Sequence, residues 1–116
     1  MSDFDLVIRN GRVATAADVT VCDIGVRGGR IVALGESLGA GSTEIDAVGK
    51  FVLPGGVESH CHFDQPMTDG SEMADDFYSG TVSAACGGTT TVIPFACQMK
   101  GGSLREAVAD YHQRAA

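Results

Sequence analysis

The chain has 116 residues, a formal net charge of −7 and an apolar fraction of 44%. That is enough for one small domain or a piece of a larger one, and the composition is globular rather than disordered. The acidic balance argues against nucleic acid or an anionic membrane as the main partner, and no apolar run approaches the roughly 18 residues of a membrane helix.

Met1-Ser2-Asp3-Phe4-Asp5 lacks the basic and apolar segments of a signal peptide. The four cysteines, Cys22, Cys61, Cys86 and Cys97, are scattered and form no CxxC pair. They read as reduced thiols of a cytoplasmic protein.

From Phe4 to Leu53 the chain is a series of short β-type runs cut by glycines. Leu6-Val7-Ile8 meets Asn10-Gly11, a dipeptide suited to a type I′ hairpin, from which Arg12-Val13-Ala14 is expected to return. Val19 to Val26 reads as a strand, Gly28-Gly29 as a turn and Arg30 to Leu34 as the next strand. Thr43 to Asp46 and Phe51 to Leu53 complete an all-β region, with a turn at Gly49-Lys50.

After Pro54 the pattern changes. Val57 to Phe63 is expected to be a strand, and Asp64 to Asp75 a polar loop. Asp75 or Asp76 caps a predicted helix running to about Cys86, where Gly87-Gly88 ends it, Gly87 standing at the left-handed cap. Thr89 to Ala96 is a β-branched run with Pro94 near its end, hence a strand. Ser103-Leu104-Arg105-Glu106 is a capping box, and Leu104, Val108 and Tyr111 form an apolar stripe on the helix that follows.

The order β-α-β-α implies parallel strands joined by a right-handed crossover. Two such strands cannot close a barrel or cover both faces of a sheet, and a (β/α)₈ barrel takes roughly 250 residues. The chain is therefore expected to be the N-terminal part of a longer protein. An uncovered strand edge at Thr89 to Ala96 predicts association or poor solubility.

Ser59-His60-Cys61-His62-Phe63 sets two of the three histidines two residues apart. On a strand, that spacing puts His60 and His62 on one face and Cys61 and Phe63 on the other. Burying two neutral imidazoles together is costly without partners. At the C-terminal end of a parallel strand, where such folds keep their active sites, the pair reads as half of a metal site. Asp64 continues the parity and either faces the metal or is a solvated loop carboxylate. Cys61 reads as a core thiol, and His112 as a surface residue. No GxSxG motif, phosphate loop or GxGxxG spacing is present.

Leu53-Pro54-Gly55-Gly56-Val57-Glu58-Ser59-His60-Cys61-His62 resembles the PGxID-x-HxH signature of metal-dependent amidohydrolases. Asp75-Asp76-Phe77-Tyr78-Ser79-Gly80-Thr81 and Ala84-Ala85-Cys86-Gly87-Gly88-Thr89-Thr90-Thr91 resemble stretches of their dihydropyrimidinase and hydantoinase branch, and Leu6 to Arg12 its usual first hairpin.

The resemblance implies an α/β fold, with residues 1–53 giving strands of a small β-sandwich. Residues 54–116 would be the first two βα units of an incomplete (β/α)₈ TIM-type barrel. It implies a hydrolase opening the ring amide of dihydropyrimidines or 5-substituted hydantoins, with Zn²⁺ as cofactor in a two-metal site and a homo-oligomeric parent, a tetramer or dimer. His60 and His62 would be metal ligands, Gln65 and Met67 part of a substrate-gating loop, and Glu58 and Asp64 supporting carboxylates behind the ligands. The carbamylated lysine bridge, further histidines and the catalytic aspartate would lie beyond residue 116, leaving no catalytic residue in the segment, which alone is expected to be inactive. Glu58 replaces the family's usual aspartate, and Gln65 is more polar than its usual gate residue. Alternatives are a truncated, non-catalytic relative serving as an interaction protein, or a sibling hydrolase such as an allantoinase or dihydroorotase.

Overall fold

The structure, a computed structural model, describes residues 2–116; Met1, the first residue of the N-terminal stretch read above, lies outside them. The chain divides into two compact units, one ending at Pro54 and the other beginning at Gly55.

The first unit is one sheet of β1 (Phe4–Ala14), β2 (Val19–Arg27), β3 (Arg30–Gly35), β4 (Gly41–Asp46) and β5 (Phe51–Val52). The strand order is β3-β2-β1-β4, with β5 also pairing β1. β1 runs antiparallel to β2 but parallel to both β4 and β5. Val7, Val13, Cys22, Ile24 and Ala47 are its buried apolar residues. Gly28 and Gly29, at φ 58° and 72°, make the two-residue turn between paired Arg27 and Arg30, as the sequence predicts.

Asn10-Gly11 does not turn the chain. β1 continues through it, and the register against β2 slips between Ile8 and Gly11. Asn10 takes the left-handed conformation at φ 59°, so the dipeptide forms a bulge rather than a hairpin. The partner strand supplies the reason. Asp23, buried opposite the bulge, accepts hydrogen bonds from the Asn10 amide at 3.0 Å, the Leu38 amide at 3.2 Å and Arg9 Nη1 at 2.9 Å. Arg9 also reaches Glu44 at 2.6 Å and the Leu38 carbonyl at 2.7 Å. The Asn10 amide, then the Arg9 guanidinium, hold the Asp23 carboxyl below its ordinary value.

The second unit comprises β6 (Gly56–Cys61), α1 (Phe77–Cys86), β7 (Thr89–Pro94) and α2 (Leu104–Arg114). β6 and β7 pair in parallel with α1 between them. Both helices begin with reciprocal capping boxes, Asp76 with Ser79 and Ser103 with Glu106, a device worth about 1 kcal/mol per cap. At the C-terminus of α1 the expected cap moves by one residue. Gly87 is right-handed at φ −83°, and Gly88 takes the left-handed place at φ 87°.

The core of this unit is aromatic. Phe77 packs edge-on against Phe63 and Tyr111, each at 5.9 Å between centroids, contacts worth about 1 kcal/mol each beyond burial. Of the stripe expected on α2, Tyr111 is buried, whereas Leu104 and Val108 are 66% and 48% exposed. Among the described residues no helix is long and apolar enough to cross a membrane.

Two outcomes follow from this architecture. Because Asp23 has a lower folded than unfolded pKa, its contribution is complete above the ordinary value of 3.8 and is lost as pH falls through the folded value. Asp23→Asn is expected to cost about 2 kcal/mol at neutral pH in denaturant titrations, with the gap to wild type closing below about pH 4. Parallel pH profiles for the two proteins would remove the clamp from the account of the bulge. Exposed Val57, Ile93, Phe95 and Leu104 predict a solution mass above the monomer by light scattering, and a monodisperse monomer would contradict that expectation.

Candidate metal centre

The site is built at the C-terminal end of β6. The strand stops at Cys61, two residues short of the expected Phe63. Its register against β7 slips between Glu58 and Cys61, where Ser59 and His60 face a single intervening residue, Ile93. Such a bulge re-aims the side chains it carries. Glu58 caps it, its Oε1 accepting the His60 amide at 2.8 Å. The longer carboxylate thus serves the backbone of its own strand, a contact the sequence did not reveal.

Beyond the bulge the chain is pinned to β7 by the Phe95 amide, which donates to the Cys61 carbonyl at 2.8 Å. This brings in a residue that sequence reasoning missed. The Phe95 ring lies 5.5 Å from His60, nearly parallel at 15°, and 5.4 Å from His62 at 30°. The two imidazoles are 5.3 Å apart, side by side although β6 ends between them, with the Phe95 ring next to both. The only available signal was its place directly after Pro94, at the end of the strand paired with the histidine strand.

His62 is held from a second side, its Nδ1 meeting Oε1 of Gln65. Phe63 turns the opposite way into the core, where it covers Gly80 of α1. A methyl added at Gly80 would clash with the Phe63 ring. Cys61 is half-buried, and burial pushes its thiol pKa up, which suits a packing thiol.

The parity argument for Asp64 fails, because β6 has ended and Asp64 is left-handed at φ 45°. Its carboxylate pairs with Arg114 at 3.1 Å, and Arg114 also donates to its carbonyl at 3.2 Å and to Asp110 at 2.7 Å. The Asp64 amide donates to the Asp75 carbonyl at 2.9 Å, and the Gln65 amide contacts the Met73 sulfur at 3.3 Å. Both ends of the 64–75 loop are thereby tied. Met67 is exposed in it, and His112 lies on α2 beside an apolar cavity lined by Phe77 and Tyr111.

Two imidazoles are suitable donors for zinc and would occupy two of its usual four positions. Among the described residues no group of three or more His, Cys, Asp or Glu side chains could hold a metal. The donor set fits a zinc ion as a partial shell and does not complete one.

The packing behind the site predicts its own test. Gly80→Val should cost about 2 kcal/mol by overpacking Phe63, and Phe63→Leu in the same chain should recover part of that loss. Strictly additive effects in a double-mutant cycle read by denaturant unfolding would contradict the contact.

No protein-family model matches the chain. A D-hydantoinase of Rhizobium radiobacter is 42% identical over 107 residues, 92% of this chain and 23% of the relative. The dihydropyrimidinase of Rattus norvegicus is 44% identical over 108 residues, 88% of this chain and 21% of the relative. An allantoinase of Salmonella paratyphi B is 43% identical over 90 residues, 78% of this chain and 19% of that relative. The crystal structure of the Bacillus sp. AR9 D-hydantoinase superposes with a TM-score of 0.86 at 46% identity, over 94% of this chain and 24% of that one. The chain thus spans about a quarter of the length of the relatives it matches. Its sequence and its fold place it in the hydantoinase and dihydropyrimidinase branch of the amidohydrolases.

Proposed function

We propose that the chain is the N-terminal portion of a cytoplasmic, zinc-dependent cyclic-amide hydrolase acting on dihydropyrimidine or 5-substituted hydantoin rings. In this reading residues 1–53 supply strands of a β-sandwich, and residues 54–116 the first two βα units of a (β/α)₈ barrel. The observation that carries it is the pair of imidazoles 5.3 Å apart at the end of a parallel strand, both backed by Phe95. His60 and His62 would hold one zinc of a two-metal site, the carbamylated lysine and the remaining ligands coming from residues outside these 116. Zinc, when bound, would polarise an amide carbonyl and acidify water.

The chain's own residues position rather than react. Phe95 and the bulge orient the two rings, and Glu58 holds the His60 backbone. Asp64, paired with Arg114, anchors the loop that carries Gln65 and Met67, and Met67 would lie near the ring substituent. A homo-oligomeric parent and a small cyclic amide as its partner belong to the same reading. Similarity to an allantoinase supports a sibling specificity as the second reading.

The test is a graft. This chain replaces the matching segment of the Rhizobium radiobacter D-hydantoinase, and hydantoin ring opening is followed. The chimera should stay active, whereas His60→Ala with His62→Ala should lower kcat/KM about a thousandfold, ~4 kcal/mol of barrier. The 116-residue chain alone, with added zinc, should open neither hydantoin nor dihydrouracil. A folded but inactive chimera, or turnover by the chain alone, would overturn the proposal.

A further inference from the structure

We propose that Gln65 is a positioning residue that sets the tautomer of His62, and that this, rather than contact with a substrate, is the use of its amide oxygen. An amide oxygen can only accept, so the His62 nitrogen that faces it must carry the proton. With Nδ1 protonated in the neutral ring, the lone pair lies on Nε2, the form in which a histidine donates to a metal through that atom. A carboxylate or carbonyl in this place is the usual partner of a ligating imidazole. Here a side chain three residues along the chain takes that role.

The surroundings give Gln65 the fixity that such a role needs. Its backbone N–H donates to the Met73 sulfur at 3.3 Å, the backbone N–H of its neighbour Asp64 donates to the Asp75 carbonyl at 2.9 Å, and the Asp64 carboxylate pairs with Arg114 at 3.1 Å. On its other side the His62 ring rests on Phe95 at 5.4 Å. The ring is therefore restrained by an aromatic face and by a hydrogen bond at one nitrogen, leaving Nε2 as its available donor. An apolar residue at position 65 could not supply this contact. The consequence for metal binding rests on the reading of His60 and His62 as ligands, whereas the tautomer itself does not.

Two measurements on the 116-residue chain test the inference. Long-range ¹H–¹⁵N correlation spectra of the metal-free protein, taken at alkaline pH, report which nitrogen of His62 carries the proton. Wild type should show the Nδ1–H form. Gln65→Met should revert to the Nε2–H form that free imidazole favours in water, and Gln65→Glu, whose carboxylate can only accept, should restore Nδ1–H. Zinc titrations followed on the His62 ring resonances should then show about tenfold weaker binding for Gln65→Met than for wild type, with recovery in Gln65→Glu. An Nε2–H ring in wild type, or a tautomer that does not respond to Gln65→Met, overturns the proposal. Zinc that binds wild type and Gln65→Met equally overturns its metal-binding half. Loss of activity in the grafted hydrolase with the tautomer intact would instead count against the proposed function.

Discussion

The site depends on one backbone junction, the hydrogen bond from the Phe95 amide to the Cys61 carbonyl. It closes the parallel pairing of β6 with β7 just past the bulge and delivers the Phe95 ring beneath both imidazoles. Without it, His62 would stand beyond the end of its strand with nothing to fix its face, since simple alternation no longer applies outside β6. The arrangement is economical in a physical sense. A single aromatic ring restrains two side chains, each of which would otherwise keep its rotamer freedom and lose it only on binding a metal.

Behind the junction, the chain uses two kinds of support of different strength. Phe63, Phe77 and Tyr111 form a packed aromatic row that ties the residue after His62 to both helices. That support is apolar and insensitive to salt. The polar ties on the loop are of another kind, because the Arg114 and Asp64 side chains are 32% and 40% exposed. Partly exposed pairs contribute at most about 1 kcal/mol and weaken in salt. The loop bearing Gln65 and Met67 therefore rests on a rigid anchor at Phe63 and on softer ones further along.

Much of this was legible in the sequence, and the failures share a cause. The Gly28-Gly29 turn and the Ser103 cap follow from local chemistry that no distant residue opposes. Asn10-Gly11 carries an equally strong local signal for a hairpin, yet Asp23 on the neighbouring strand captures the Asn10 amide and β1 runs on. Asn10 does take the left-handed backbone that a type I′ turn would use, but a bulge uses the same conformation. Asp64 falls outside the strand's alternation because β6 ends at Cys61, and its carboxylate pairs with Arg114 fifty residues away. Phe95 could not be found because it touches the histidines through strand pairing rather than through any spacing in the chain.

The apolar side chains that remain exposed bear on what the second unit is for. Val57 of β6 and Ile93 of β7 are 65% and 56% exposed, on two strands that pair only with each other among the described residues. A two-stranded sheet is marginal in water by itself, and parallel strands ordinarily occur with both faces covered. The aromatic row buries Phe63 and Tyr111 but leaves these valine and isoleucine side chains in solvent. The pairing of β6 with β7 is thus the geometry the histidines require, held with less burial than a parallel sheet normally enjoys. Additional strands or helices laid against this sheet would stabilise the Phe95–Cys61 junction directly.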